Sequence, residues 1–283
     1  MTTYPSTIIA EGLAFPEAPR WHAGRLWFTD QHARAILAVD PAGECETIAP
    51  TEDLPGGLGW LPDGRILVVF MTQQRVMQLT AEGLAEYADL SALASFHCND
   101  MVVDARGRAY VGNFGFDLHG GGEVEPAEIV RIDQDRRVEV FARDVVFPNG
   151  SVITPSGDTL LVAETFAHRI SAFGLDARGR VASRQLWVDL GRHTPDGICM
   201  DAEGALWVAS PGTKSLFRVE EQGGAILDRC TTRGTPYACM LGGEDRRTLY
   251  ICTSETDDPQ EAAKERSGRI EQVRVAIAGA GLP

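Results

Sequence analysis

The chain has 283 residues, 44% of them hydrophobic and 23% charged, the balance of an ordinary globular protein. Its 40 Asp and Glu outnumber 26 Lys and Arg, and the formal net charge of −14 argues against nucleic acid or an anionic membrane as partner, because both carry the same sign. Residues 1–6 lack the basic and apolar regions of a secretory signal. The longest apolar run, residues 66–71, is far short of the ~20 residues that span a bilayer, so the cytoplasm is the default location.

In chain order, residues 6–10 form a first short strand, expected to pair with residues 270–277 near the other end. Then a unit recurs in which a turn signal precedes a β-prone run. Its copies are Ala23-Gly24-Arg25-Leu26-Trp27-Phe28, Pro62-Asp63-Gly64-Arg65-Ile66-Leu67-Val68, Ala105-Arg106-Gly107-Arg108-Ala109-Tyr110-Val111, Pro155-Ser156-Gly157-Asp158-Thr159-Leu160-Leu161-Val162, Ala202-Glu203-Gly204-Ala205-Leu206-Trp207-Val208 and Glu244-Asp245-Arg246-Arg247-Thr248-Leu249-Tyr250-Ile251. The copies are about 40–50 residues apart, the period of a propeller blade. The first five are each followed by a strand pair: 36–40 with 44–48, 76–80 with 86–88, 129–132 with 138–141, 169–175 with 184–188, and 216–219 with 225–227. The pattern predicts an all-β chain: a six-bladed β-propeller of four-stranded antiparallel blades around a central channel, one domain over residues 1–283. Residues 112–126 form a glycine-rich loop suited to covering a pocket. Residues 254–268 read as a charged, solvated loop.

The six cysteines, Cys45, Cys98, Cys199, Cys230, Cys239 and Cys252, include no C-x-x-C pair, which argues against a zinc knuckle or a thioredoxin-type motif. Mostly in apolar strand contexts, they read as small buried hydrophobes. No G-x-S-x-G elbow is present, so a serine-hydrolase site lacks its usual context.

The innermost strand of each blade lines the channel, so polar residues just upstream of the turn signals converge at one mouth. Glu17, Asn99, Asn149 and Asp196 lie seven or eight residues before Gly24, Gly107, Gly157 and Gly204. Two carboxylates and two amide oxygens at one level make an oxygen-only site for a hard divalent cation. Each Asn-Gly or Asp-Gly alone reads as a turn; the shared register is what marks the set.

These residues sit in Glu17-Ala18-Pro19-Arg20-Trp21, His97-Cys98-Asn99-Asp100, Pro148-Asn149-Gly150 and Pro195-Asp196-Gly197. In order and spacing the four segments resemble the E-[GS]-P-x-W, R-x-N-D, S/P-N-G and P-D-G motifs of the SMP-30/gluconolactonase/luciferin-regenerating-enzyme family. The segment from Cys239 to Asp245 resembles its last inner strand. The resemblance covers essentially the whole chain. It implies a propeller holding one divalent metal in its channel, with Glu17, Asn149 and Asp196 as ligands and Asn99 beside them, contacting substrate or water. Many family members hydrolyse lactones, often sugar lactones, with calcium, zinc, manganese or related ions; magnesium and iron(II) also suit such donors. His97 stands where the family has an arginine associated with sugar hydroxyls, and Asp117 takes the place of a loop acid in an aromatic setting, Phe114 to His119.

The chemistry expected is a metal-polarised lactone carbonyl attacked by water. Asp196, or alternatively Glu17, is the base, Asn99 helps stabilise the oxyanion, and His97, Asn99 and Asp117 contact the substrate. His97 as a base is a further alternative. Phe166 and Tyr237 are placed to line the pocket or to pack in the core. A metal-dependent phosphotriesterase and a non-catalytic metal-binding propeller are the rival readings; oligomeric state is left open.

Overall fold

The computed structural model describes residues 1–221 and 223–281. Its strands form six sheets, and the innermost strand of each touches the next around a closed ring, a six-bladed β-propeller. Those inner strands are Pro16–His22, Pro55–Trp60, Cys98–Val103, Pro148–Ile153, Ile198–Asp201 and Thr235–Gly242. Each pairs antiparallel with the strand that follows its turn signal: Arg25–Asp30, Ile66–Phe70, Ala109–Asn113, Thr159–Glu164, Leu206–Ser210 and Thr248–Ser254. The six repeats are thus the second strands of six blades. Apolar side chains fill the space between blades, with Trp207, Tyr110, Tyr250, Phe28, Phe173 and Phe217 among the largest that are fully buried.

The ring closes much as the sequence predicts. Thr7–Leu13 forms the outer strand of the last blade, antiparallel to Gly268–Arg274. The fifth blade departs from the four-strand expectation, because both chain ends add to it. Thr2–Pro5 pairs parallel to Ile226–Thr231 at its outer edge, and Gly279–Ala280 pairs with Met200 and Asp201 at its inner edge. The C-terminal segment therefore crosses the far ends of the inner strands: Ala202 N–H donates to Ala278 O, and Gly281 lies against Ile153 O.

The charged segment holds a helix, Pro259–Glu265, where a loop was expected. The Asp258 side chain accepts from Gln260 and Glu261 N–H, and Pro259 supplies a preset first turn. Ala262 is fully buried against Phe15 and Tyr237, which docks the helix on the ring. All six cysteines are free, and all but Cys45 are buried. Among the described residues no helix is long and apolar enough to cross a membrane.

Candidate active site

Five of the six inner strands carry a register shift near their start, between Glu17 and Arg20, Pro55 and Leu58, Cys98 and Met101, Pro148 and Ser151, and Pro236 and Ala238. A bulge of this kind re-aims a side chain out of the pleat. In the fifth blade Asp196 and Gly197 precede the regular strand and pair through Ala209 instead. The bulges hold Glu17, Gly56, Asn99, Asn149 and Tyr237, and Asp196 takes the equivalent place in the fifth blade. Their ring is tight: a Cβ on Gly150 would sit 2.5 Å from Asp196 O, and one on Gly197 2.5 Å from Ala238 Cα. Ala18 takes φ 48° so that its N–H reaches the Glu17 carboxylate at 2.8 Å.

Above this ring lies a cavity of about 570 Å³. Glu17, Asn99, Asn149, Asp196 and Tyr237 form its floor. The residues two positions earlier, Phe15, Leu54, His97, Phe147, Thr194 and Thr235, form a second tier. The residues just after the second strands, Gln31, Met71, Phe114, Thr165, Pro211 and Glu255, form a third. Polar residues ending the second strands brace the second tier: Asp30 accepts from Ala14 and Phe15 N–H, Glu164 from Val146 N–H and Ser210 Oγ from Thr194 N–H. Six-fold repetition thus extends from the fold into the cavity wall.

Glu17, Asn99, Asn149, Asp196 and His97 all line this one cavity. Asn149 Nδ2 donates to Thr165 Oγ1 at 3.2 Å, and that hydroxyl donates to Pro195 O at 2.8 Å, so the Asn149 Oδ1 oxygen is left for a ligand. Burial pushes the Glu17 carboxyl up to about 8, opposed by the Ala18 N–H, aided by the Asp100 charge and opposed by Arg20. Asp196 is raised well above the usual carboxylate range, first by burial and then by the charges of Glu17 and Asp100, while Asn149 works the other way.

Among the described residues no cationic side chain forms an ion pair with Glu17 or Asp196, although Lys214 stands in the cavity wall. Arg20, buried at 5% exposure, is committed to Leu58 O, Pro19 O, Met101 O and Asp100 Oδ1, the last at 2.6 Å. Among the described residues no three His, Cys, Asp or Glu side chains gather in a metal-holding group. The donor set here is two acids plus an amide oxygen, all hard oxygens, and it fits a divalent cation.

The His97 ring stacks on Phe96 at 4.2 Å. Its pKa is lowered by burial, against the charges of Asp53 and Asp117 and together with His119. Asp117 stands apart from the others. It is exposed, its carboxylate accepts from Gly120 N–H in its own loop, and it does not line the cavity; Leu118 and His119 of that loop do. The charged segment, read from sequence as solvated, contributes Glu255, Asp257 and Pro259 to the wall. Phe166 and Tyr237 both line it. Gln31, His32, Thr194, Lys214 and Thr235 were missed, although counting two residues back from each floor position finds Thr194 and Thr235.

The pair of raised acids makes cation-free stability pH-dependent. The Glu17 carboxyl rises from 4.5 to about 8 on folding, so the folded protein holds a proton that the unfolded chain has already released between those values. Stability without cation therefore falls as pH rises through that window and levels off above it, and Asp196 shifts in the same direction. A bound divalent cation removes this loss. The gain in Tm on adding calcium to chelator-treated protein is expected to be several degrees larger at pH 8 than at pH 5. Equal gains at both would refute the linkage.

Comparison with known proteins agrees with this architecture. Residues 15–255 match the model of the SMP-30/Gluconolactonase/LRE-like region. A 6-deoxy-6-sulfogluconolactonase of Pseudomonas putida is 27% identical, covering 98% of this chain and 96% of its own. A pentonolactonase of Haloferax volcanii is 25% identical over 93% of this chain and 91% of its own. The crystal structure of a calcium-binding protein, regucalcin, from Agrobacterium tumefaciens has the same fold, with a TM-score of 0.83 at 20% identity, covering 100% of this chain and 98% of that one. With the family model spanning most of its length, the chain belongs to the SMP-30/gluconolactonase/LRE-like family.

Proposed function

We propose that this protein is a lactonase that works with one divalent cation held by Glu17, Asn149 and Asp196. The observation that carries the reading is the meeting of two buried carboxylates and an anchored amide at the floor of a single cavity. Relatives named gluconolactonase, pentonolactonase and 6-deoxy-6-sulfogluconolactonase support lactone opening, and the calcium-binding neighbour supports a divalent cation.

A cation in this donor set supplies Lewis-acid polarisation of the carbonyl and acidifies water. Asp196 accepts the proton of the attacking water at a carboxylate oxygen. The Asn99 amide, whose partner among the described residues is Pro148 O at a long 3.4 Å, is free to turn its N–H toward the developing oxyanion. His97 flanks the substrate from the second tier. The proton held by Asp196 then passes to the leaving ring oxygen, giving the hydroxy acid.

The test is acid release from a lactone panel by metal-stripped protein, with calcium, magnesium, manganese, zinc or iron(II) restored singly. Turnover that depends on an added cation supports the reading. Full turnover in chelator refutes the role of the cation, and no turnover with any cation refutes the lactonase.

A further inference from the structure

We infer that the lactone this site opens carries a hydrocarbon substituent, an alkyl chain or a plain aryl ring, seated against the wall built by blades two to four. The inference rests on the lactonase reading and adds the substrate class to it.

The three tiers are not chemically even around the ring. On the side of blades two to four the wall is Leu54, Met71, Phe114, Leu118, Phe147 and Phe166. Phe114 stacks on Phe147 with ring centroids 4.5 Å apart, and Phe166 meets Phe147 edge-on at 5.0 Å. Phe116 closes the cluster behind, 5.7 Å from Phe147 and 5.6 Å from Phe166. Phe147 holds φ 52°, a conformation that bulky residues rarely adopt. Its ring packs there among three aromatic neighbours, so the apolar surface is built without a ligand. The opposite side, from blades five and six, presents Thr194, Lys214, Thr235, Glu255 and Asp257.

Hydrogen-bonding side chains on the aromatic side are few above the floor: Thr165, His97 and His119. Asn149 Nδ2 and Thr165 Oγ1 serve each other and Pro195 O. His97, stacked on Phe96, and His119, exposed at the rim, offer in-plane ring nitrogens but no contact along the phenyl faces. A lactone bearing a hydroxyl on every ring carbon would leave some of them unpartnered against phenyl faces, which is unfavourable. A hydrocarbon group gains by the same burial. The cavity also has far more room than a bare five- or six-membered lactone fills, within the range of sites for larger ligands.

The experiment compares γ-lactones bearing hydrogen, methyl, butyl or phenyl on the carbon next to the ring oxygen with glucono-δ-lactone, using the cation that best restores turnover. Expected is a rise in kcat/KM of about fourfold per buried methylene, and a phenyl compound at least about tenfold better than the unsubstituted one. Phe166→Asn is expected to erase most of that ratio and Phe166→Leu to keep most of it. A flat hydrocarbon series with glucono-δ-lactone preferred overturns the inference and leaves lactone opening standing. If no lactone is opened, the lactonase reading fails, and the apolar seat is decided by thermal shift with 5-phenyl-2-pyrrolidinone against 2-pyrrolidinone. A phenyl-dependent stabilisation lost in Phe166→Asn supports the seat; equal shifts overturn it.

Discussion

Asp196→Asn is expected to lower kcat for lactone opening by about 10³-fold, the loss that follows when a positioned proton acceptor is removed. The substitution keeps the size of the side chain, and the backbone pairings of Asp196 with Ala209 and Gly150 do not involve the carboxylate. The fold should therefore be retained. Without cation the variant is expected to be more stable than the parent at pH 8, because one of two buried acids that repel each other is gone. With cation the order reverses, because a charged ligand has been lost. Opposite signs for stability and turnover separate a catalytic acid from a structural one. Wild-type turnover together with unchanged cation affinity in Asp196→Asn would end the assignment.

Arg20→Met is expected to cost about 3–5 kcal/mol of stability, the range for breaking a buried ion pair by removing one partner. The guanidinium ties three blades together at the channel wall, donating to Leu58 O of the second blade and to both Asp100 Oδ1 and Met101 O of the third. Removing it leaves the Asp100 carboxylate, 14% exposed, without its cation and takes the guanidinium donor from three carbonyl groups, Pro19 O, Leu58 O and Met101 O. Tm should fall by about 5–8 °C. Arg20→Lys should recover little of this, because an ammonium cannot reproduce the planar fork that meets several acceptors at once. Arg20→Met with Asp100→Leu should recover about half, since replacing a buried pair with apolar groups is far milder than orphaning one member. A single Arg20→Met variant that melts within 1–2 °C of the parent would show that the network carries no such weight.

Much of this architecture is legible in the sequence because repetition is itself a signal. Turn chemistry at Gly24, Gly64, Gly107, Gly157 and Gly204 fixes where the second strands begin, and counting back from it finds Glu17, Asn99, Asn149 and Asp196. The bulges that turn those side chains into the cavity leave no pattern of their own, since they depend on pairing between strands. The helix Pro259–Glu265 escaped because a single buried residue, Ala262, gives no amphipathic period; only Asp258-Pro259 marked its start. Asp117 misled for the opposite reason. An acid just ahead of Gly120-Gly121-Gly122 is turn chemistry first: Asp117 Oδ1 accepts from Gly120 N–H, and the residue does not line the cavity. The chain ends joined the fifth blade through partners more than 70 residues away, which no local window reveals. The uneven wall of the cavity was half visible: the aromatic surroundings of Asp117 were noted, but Phe147 became part of that surface through a backbone angle that composition does not encode.

The C-terminal segment that crosses the far ends of the inner strands gives the two faces of the disc different practical uses. Gly281 lies beside Ile153, at the end of a strand whose beginning holds Asn149 on the cavity floor. A tether attached at the Gly281 end of the described segment starts from the face opposite the cavity mouth. On a sensor chip or bead, molecules captured by that end would face the liquid with their pockets open, whereas capture through the helix beside Tyr237 would press the entrance against the support.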